Sequence, residues 1–235
     1  MRLLLISNST NAGEAYLDHP KQHIKNFLGN TPRTALFIPY AGVTISFNDY
    51  ENRVKERFNE IGHHIQSIHH FKDPVVAVKK AEVIIVGGGN TFYLLKSLQD
   101  HKLIKPVREK VLSGTPYIGW SAGANVACPT ISTTNDMPIA QPASFNAFHI
   151  IPFQINPHYL DTNPDGHAGE TREMRIEEFI KVNRNVFVVG LREGTMLLIE
   201  NDTIQLIGAR NVRIFKFGHH PVELKQGDDF KFLLT

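Results

Sequence analysis

A serine flanked by glycines is the part of this sequence whose residue types and spacing most directly suggest chemistry. Residues 119–123 read Gly-Trp-Ser-Ala-Gly, with the apolar pair Tyr117 and Ile118 before them and small residues after them. A Gly-x-Ser-x-Gly sequence between a strand and a helix predicts a sharp turn that exposes the serine hydroxyl at the end of a sheet. The pattern therefore predicts that Ser121 is a nucleophile. The bland alternative is a glycine-rich turn in which Ser121 only caps the following helix.

A serine hydroxyl becomes a good nucleophile only when a base removes its proton, and histidine is the usual base because its pKa lies near neutral pH. Among twelve histidines, His158 is the leading candidate. It follows an apolar stretch that ends in Asn156 and Pro157, a turn-like setting from which an imidazole can face a cleft. His149 and His167 are weaker candidates. Three adjacent histidine pairs lack a metal-ligand pattern, so we expect no metal site.

The base in such a site is oriented by a carboxylate, and two candidates fit. Asp136 lies in the predicted loop at 132–138 and would give the chain order Ser, Asp, His. Glu193 lies in the predicted turn at 190–194 and would give the order Ser, His, Glu. Spacing along the chain does not choose between them. Either carboxylate could instead make only turn hydrogen bonds.

A second glycine-rich turn, residues 87–89, follows the apolar run that ends at Val86. Attack on a carbonyl creates an oxyanion that needs two donors, usually the amide after the nucleophile and an amide from a neighbouring strand-to-helix loop. Ala122 and Gly89 fit those two positions. Phe92 stands where a dinucleotide fingerprint requires glycine, and no Gly-Lys-Ser/Thr follows, so the turn does not indicate nucleotide binding. Three glycines would also simply permit a tight turn.

Short apolar runs alternate with amphipathic stretches over the first half of the chain, a pattern that predicts a parallel sheet with crossover helices. The predicted strands are Leu3 to Ile6, Ala35 to Ile38, His64 to Ile68, Val83 to Val86 and Tyr117 to Ile118. Tyr50, Val54 and Phe58 recur with helical spacing, and Gly62 closes that helix. The result is a doubly wound, mostly parallel α/β sheet whose ligands bind beyond the carboxyl ends of the strands. Ser121 lies at such an end.

The alternation of apolar runs and amphipathic stretches ends after residue 185, where closely spaced apolar runs predict an antiparallel C-terminal extension. The predicted strands are Val186 to Val189, Met196 to Glu200, Thr203 to Ile207 and Val212 to Phe217. Asn201 and Asp202 form a tight turn between the middle two. Residues 129–147 are expected to be a long loop, and loops of that length tend to be functional. Without a linker, repeat or low-complexity tract, residues 1–235 are expected to form a single domain.

Composition excludes several classes of function. The 25 basic and 23 acidic side chains give a net charge of +2 and form no block of like charge, which argues against binding to nucleic acid or to an anionic membrane. The apolar run at 3–6 is too short for a secretory signal, and no run approaches a membrane span. The single cysteine, Cys128, permits no internal disulfide and fits a reducing cytoplasm.

Four segments carry a resemblance to a known family. They read Gly-Gly-Gly-Asn-Thr-Phe at 87–92, Gly-Trp-Ser-Ala-Gly-Ala-Asn at 119–125, Asn-Pro-His-Tyr at 156–159 and Gly-His-Ala-Gly-Glu-Thr-Arg at 166–172. In this order they resemble the peptidase E family of serine peptidases, the cytoplasmic alpha-aspartyl dipeptidases, over nearly the whole chain. The resemblance implies a class I amidotransferase-like (flavodoxin-like) fold and a cofactor-free hydrolase of small Asp-X dipeptides.

The resemblance also implies roles for individual residues. Ser121 corresponds to the nucleophile and His158 to the base. For the third member of the triad it offers both Asp136 and Glu193, and we place Asp136 first.

Recognition of an acidic amino-terminal side chain requires a cation, and Arg172 is our candidate. A guanidinium can hold a carboxylate through two parallel hydrogen bonds. Arg172 stands at the predicted start of a helix through Ile176, Phe179 and Ile180, after a glycine-containing segment. The alternative is a surface pair with Glu173.

Two other functions remain open at this point. One is a cyanophycinase-like enzyme that hydrolyses β-aspartyl peptides, and the other is a catalytically silent amidotransferase-like binding module. A glutamine amidotransferase is disfavoured because the turn holds Ser121, and Cys128 lies seven residues further on, where we expect it to be buried in the following helix. The sequence leaves open the second residue of the dipeptide, the exclusion of longer peptides, and whether the protein is a monomer or a homodimer.

Overall fold

Strands and helices alternate over the first half of the chain, and strands predominate after residue 185. The computed structural model describes residues 1–163, 166 and 168–234. The strands of this part are β1 (Arg2–Ile6), β2 (Thr34–Ile38), β3 (His64–Ser67), β4 (Ile84–Val86), β5 (Tyr117–Trp120), β6 (Gln154–Tyr159), β7 (Val188–Arg192), β8 (Met196–Glu200), β9 (Thr203–Ile207), β10 (Val212–Phe215) and β11 (Val222–Leu224).

Helices fill the connections between the first five strands. They are α1 (Asp18–Leu28), α2 (Phe47–Glu60), α3 (Pro74–Lys80), α4 (Thr91–Asp100) and α5 (Ile104–Leu112), with a short 3₁₀ helix at Ile68–His70. Helix α6 (Ala122–Asn125) follows β5, α7 (Arg172–Val182) lies between β6 and β7, and a 3₁₀ helix at Lys231–Leu234 follows β11. Polar residues at the starts of some of these helices cap them through side-chain hydrogen bonds. Ser46, for example, accepts a hydrogen bond from the Asp49 amide at the start of α2, and Asn90 accepts one from the Tyr93 amide at the start of α4.

The central sheet has the strand order β3-β2-β4-β5-β1-β8-β9. Its first five strands are parallel, while β8 and β9 add an antiparallel edge. Both faces are covered: in β1, Leu3 and Leu5 join one apolar cluster and Leu4 and Ile6 join another, all fully buried. The predicted doubly wound α/β fold is therefore confirmed, and the β8–β9 hairpin has the predicted bounds.

A second sheet differs from the sequence-based expectation. It has the order β11-β10-β7-β6, with β6 parallel to β7 and the other pairs antiparallel. The C-terminal strands thus divide between two sheets instead of extending one. The sequence did not indicate β6, because Asn156 and Pro157 suggest a turn. Proline is tolerated there since β6 is an edge strand, and the register with β7 shifts between Pro157 and Tyr159.

Close backbone packing joins α6 to the central sheet. A Cβ atom on Gly123 would lie 2.1 Å from the carbonyl oxygen of Val86, and one on Gly119 would lie 2.3 Å from the carbonyl oxygen of Gly123. Any side chain at either position would force these backbones apart. The two glycines therefore let the β5–α6 turn lie directly against β4.

The predicted long loop is confirmed, since residues 129–153 form neither helix nor extended strand. It is nevertheless held by specific hydrogen bonds. The Asn135 side chain donates to the Pro157 carbonyl at 2.7 Å, and the Asn156 side chain donates to the Thr133 carbonyl at 2.8 Å. The loop thereby fixes the outer side of β6. Among the described residues, we find no helix long and apolar enough to cross a membrane.

We expect Cys128 to be chemically inert in the folded protein. It lies just beyond α6 and not within it, is fully buried, and accepts a hydrogen bond from the Ile155 amide. Burial raises the pKa of its thiol to about 12, so the reactive thiolate is scarce at pH 8. Iodoacetamide labelling followed by mass spectrometry should be at least about 100-fold slower in buffer than in denaturing urea. Rapid stoichiometric labelling of the native protein would contradict this burial.

Candidate active site

Ser121 occupies a strained turn between β5 and α6. Its backbone has φ 53° and ψ −114°, a left-handed conformation that is unusual for a residue with a side chain. The Ser121 amide donates to the Ile6 carbonyl at 3.0 Å, which ties the turn to the end of β1. Its hydroxyl makes no capping hydrogen bond to α6. The capping interpretation is therefore wrong, and the hydroxyl faces away from the helix.

The imidazole of His158 reaches this hydroxyl from the second sheet. Its Nε2 atom lies 2.9 Å from Ser121 Oγ. His158 has φ 53°, at the point where the register of β6 shifts, so its side chain leaves the ordinary alternation of a strand. The His158 amide donates to Ser7 Oγ at 2.9 Å, and Ser7 Oγ donates to the Leu191 carbonyl at 2.7 Å. Ser7 therefore holds the distorted segment of β6 in place.

Glu193 completes a row of three side chains. Its Oε1 atom lies 2.6 Å from Nδ1 of His158, on the opposite side of the imidazole from Ser121. Glu193 lies in the turn between β7 and β8, and Gly194 follows it with φ 79°. The Gly194 amide donates to Asn8 Oδ1 at 2.8 Å, so the residues after β1 also position this turn.

Asp136 contacts the start of α4. One of its carboxylate oxygens accepts hydrogen bonds from the amide of Thr91 at 2.7 Å and from its hydroxyl at 2.5 Å. Thr91 is the first residue of α4, where a negative charge interacts favourably with the helix dipole. These contacts reverse the order expected from the sequence: Asp136 does not contact His158, whereas Glu193 does. Chain order could not separate the two acids because both loops were free to reach the imidazole.

The glycine-rich turn at 87–89 lies directly against Ser121. A Cβ atom on Gly88 would be 3.0 Å from Ser121 Cβ. The Tyr50 hydroxyl donates to the Gly88 carbonyl at 2.8 Å and accepts from Trp120 Nε1 at 3.2 Å. Because a trans peptide points its carbonyl and its N–H in opposite directions, this contact directs the Gly89 N–H away from Tyr50. Gly89 has φ 136°, a conformation open to glycine alone.

A cavity of about 550 Å³ opens in front of the row. Its wall includes Ser121, His158, Gly89 and Trp120, together with Arg53 of α2. Its size is that of a small-molecule site. The cavity therefore exposes the Ser121 hydroxyl, the His158 imidazole and the turn at Gly89 to one small ligand.

Arg172 begins α7, as the sequence predicted, but does not line this cavity. Its side chain is half-buried; burial and the charge of Arg175 lower its pKa, while the charge of Asp136 opposes that shift. Glu173 pairs with Arg213 at 3.0 Å, so the alternative of an Arg172–Glu173 pair is not observed.

His149, one of the two weaker histidine candidates, does not join the row. His149 is exposed in the long loop, and its carbonyl accepts a hydrogen bond from Arg108. His167 lies outside the described residues.

One group of side chains has the donor types of a metal site. Glu51, His69 and His70 each offer a ligand atom within 4.8 Å of the others. Glu51 also lies 3.0 Å from the ammonium group of Lys55 and accepts a hydrogen bond from the Ser67 amide. The carboxylate already has a cation partner, and none of the three potential ligands lines the cavity at Ser121.

Three residues that support the site were missed by the sequence analysis. Ser7 and Asn8 follow β1 directly, and the topological rule that ligands bind beyond strand carboxyl ends could have indicated them. Tyr50 was assigned only to the apolar face of α2. Its hydroxyl contact with Gly88 had no signal in the spacing of the sequence.

Comparison with known proteins identifies similar chains. The profile of peptidase family S51 matches residues 3–207. A peptidase E of Nostoc sp. is 51% identical over 233 residues, which cover 99% of this chain and 96% of the relative. A peptidase E of Salmonella paratyphi A is 48% identical over 230 residues, which cover 98% of this chain and all of the relative.

Solved structures share the fold at low sequence identity. The crystal structure of a peptidase from an acI-B1 actinobacterium has a TM-score of 0.70 at 22% identity and covers 97% of this chain and 96% of its own. A putative peptidase E from Listeria monocytogenes has a TM-score of 0.66 at 21% identity and covers 88% of this chain and 98% of its own. These likenesses concern the fold alone.

The contacts of the two acids predict different effects on the reactivity of Ser121. Glu193→Gln should slow labelling of Ser121 by a fluorophosphonate on the order of 10²-fold or more, because the neutral amide no longer orients and stabilises the imidazolium. Asp136→Asn should change the rate by less than about 5-fold, since Asp136 contacts Thr91 at the start of α4 and not His158. Labelling rates with intact protein mass spectrometry would measure both. A slow Asp136→Asn beside a normal Glu193→Gln would contradict the geometry.

Proposed function

The chain belongs to peptidase family S51, and on that premise we propose that it is a serine dipeptidase that hydrolyses dipeptides with an amino-terminal aspartate. The observation that carries the proposal is the hydrogen-bonded row of Ser121, His158 and Glu193, with separations of 2.9 and 2.6 Å. These are the distances over which a nucleophile, a base and an orienting acid act together.

The proposed mechanism uses the row in two steps. His158 Nε2 takes the proton of Ser121 Oγ as the oxygen attacks the carbonyl carbon of the aspartyl residue. Glu193 accepts a hydrogen bond from the Nδ1–H group of His158, which fixes the tautomer of His158 and stabilises the imidazolium. The imidazolium then gives its proton to the leaving amine, and an acyl-enzyme ester remains on Ser121. A water molecule, activated by the same imidazole, hydrolyses the ester and frees aspartate.

Two backbone amides are the proposed oxyanion donors. Ala122 follows the nucleophile at the start of α6, and Gly89 lies in the turn that touches Ser121. Both are fixed by the backbone, so they require no reorganisation as negative charge develops on the carbonyl oxygen. The contact between Tyr50 and the Gly88 carbonyl supports this role, because it orients the peptide that carries the Gly89 N–H.

The proposed substrate is a small Asp-X dipeptide, and Arg172 is the proposed partner of its aspartyl side chain. The full-length similarity to relatives named peptidase E supports this substrate class. The half-buried guanidinium of Arg172 at the start of α7 supplies the required positive charge. The mechanism uses no metal or cofactor, and we place the enzyme in the cytoplasm, acting as a single domain over residues 1–235.

The alternatives receive less support. A silent binding module would have no need of three aligned side chains at a strained serine. A cyanophycinase-like activity on β-aspartyl peptides is disfavoured by the identity of about half the chain with peptidase E relatives. A glutamine amidotransferase would need a cysteine at the turn, and Cys128 is buried away from it. Hydrolysis of Asp-Leu compared with Leu-Leu and β-Asp-Leu separates these possibilities.

Ser121→Ala should abolish turnover of Asp-Leu, with a loss of kcat on the order of 10⁴-fold or more, because no acyl-enzyme can form. Substrate binding, measured by calorimetry, should survive. The measurement requires a preparation free of other peptidases, purified from a host that lacks this activity. Turnover near the wild-type rate would show that the nucleophile is elsewhere.

Arg172→Leu should lower kcat/KM for Asp-Leu at least about 30-fold, because the substrate carboxylate loses a charged partner. Labelling of Ser121 by a fluorophosphonate should remain largely intact, since the loss concerns recognition. Arg175→Leu is the matched control: Arg175 lies on the same helix, is exposed, and faces Glu170 at 3.6 Å, so its loss should cost less than about 5-fold.

The contrast between Asp-Leu and Asn-Leu tests the assignment of Arg172 directly. The wild-type enzyme should prefer Asp-Leu, and Arg172→Leu should erase most of that preference. An unchanged preference in the variant would move the side-chain pocket to another part of the site.

A further inference from the structure

A second arginine lines the cavity at Ser121 and has no role in the mechanism above. Arg53 lies in the middle of α2 and is exposed toward the cavity. Among the described residues of the cavity wall, it is the one permanently charged side chain, and no aspartate or glutamate accompanies it. The cavity is therefore suited to a ligand that carries negative charge.

Aromatic contacts hold Arg53 near the reactive serine. Its guanidinium carbon lies 4.1 Å from the centroid of the Tyr16 ring. The Tyr16 ring in turn meets the ring of Trp120 edge to face, with centroids 6.4 Å apart, and Trp120 directly precedes Ser121. A guanidinium that stacks on an aromatic face keeps its N–H groups free at its edge, where they can bind a carboxylate through two hydrogen bonds.

Arg53 differs in this respect from the other cations of its helix. Lys55 lies 3.0 Å from Glu51, and Arg57 lies 2.7 Å from Glu60. Within the part of the chain that the structure describes, no carboxylate lies within ion-pair distance of Arg53. An arginine that faces a cavity without an internal acid is available to an external one.

The chemistry of a dipeptide restricts where a second carboxylate can lie. Consecutive Cα atoms are about 3.8 Å apart, so the terminal carboxylate of Asp-X lies within one residue of the bond that is cleaved. A cation on the wall of the cavity at Ser121 is therefore placed to meet this carboxylate. Arg53 is such a cation.

We propose that Arg53 binds the C-terminal carboxylate of the dipeptide and so limits the enzyme to substrates of two residues. The proposal rests on the proposed dipeptidase function. A third residue would carry the carboxylate about 3.3 to 3.6 Å further along an extended chain, beyond a guanidinium held by Tyr16. In a tripeptide, the second residue would therefore present an uncharged peptide group to Arg53, and the ion pair with a terminal carboxylate would be lost.

The test compares substrates that differ only at the C-terminus. Asp-Leu carries the terminal carboxylate, and aspartyl-leucine amide replaces it with a neutral amide. The wild-type enzyme should prefer Asp-Leu by about 30-fold in kcat/KM, as expected for a charge-assisted contact. Arg53→Met, which keeps an unbranched apolar stem on the Tyr16 ring, should lose about 30-fold on Asp-Leu and less than about 3-fold on the amide.

Arg57→Met is the matched control, because Arg57 lies one turn further along α2 and pairs with Glu60. It should change neither substrate by more than about 3-fold. Fluorophosphonate labelling of Ser121 should proceed at the wild-type rate in Arg53→Met, which shows that the row of Ser121, His158 and Glu193 is intact.

Several outcomes would overturn the proposal. An equal loss on both substrates in Arg53→Met would assign Arg53 to another part of the substrate or to structure, and no loss on either would exclude a binding role. If Arg53→Met fails to fold, the wild-type enzyme still decides, since equal hydrolysis of Asp-Leu and its amide excludes a partner for the terminal carboxylate. A wild-type enzyme that cleaves neither substrate would instead refute the proposed dipeptidase function.

Discussion

The carboxyl end of β1 contacts all three segments that carry Ser121, His158 and Glu193. The carbonyl of Ile6 accepts a hydrogen bond from the amide of Ser121. The hydroxyl of Ser7 accepts one from the amide of His158 and donates one to the carbonyl of Leu191, near the end of β7. The amide of Ser7 donates to the Thr195 carbonyl beyond Glu193. Because these groups are buried, each lost hydrogen bond would leave an unpaired polar group that costs about 1 to 3 kcal/mol. The two sheets therefore meet in one geometry, and that geometry aligns the three side chains.

Strain at two residues is the counterpart of this alignment. Ser121 and His158 both have a left-handed backbone, which costs on the order of 1 to 3 kcal/mol at each position. The cost persists because close packing at Gly123 and the register shift in β6 leave neither segment an alternative path. The strained backbone lifts the serine hydroxyl out of the sheet and turns the imidazole toward that hydroxyl. The strain is therefore located at the two residues whose side chains must meet.

The charged side chains at and near the candidate active site make separate contacts. Glu193 contacts the imidazole, Asp136 stabilises the start of α4, and the two arginines stand on different helices. A substrate with two carboxylates and one scissile bond would meet one cation near each end. Such an arrangement would orient a short ligand without a deep pocket, because charge-assisted contacts at both ends fix its direction.

Local patterns in the sequence were enough for the features that depend on neighbouring residues. The Gly-x-Ser-x-Gly turn, the glycine-rich turn at 87–89, the β8–β9 hairpin and the start of α7 at Arg172 each follow from a few consecutive side chains. Only the tertiary structure decided the rest. β6 forms because β7 pairs with it despite Pro157, Glu193 reaches His158 through the end of β1, and Asp136 is drawn to α4. These are contacts between residues tens of positions apart, and spacing along a chain carries no information about which distant groups will share a hydrogen bond.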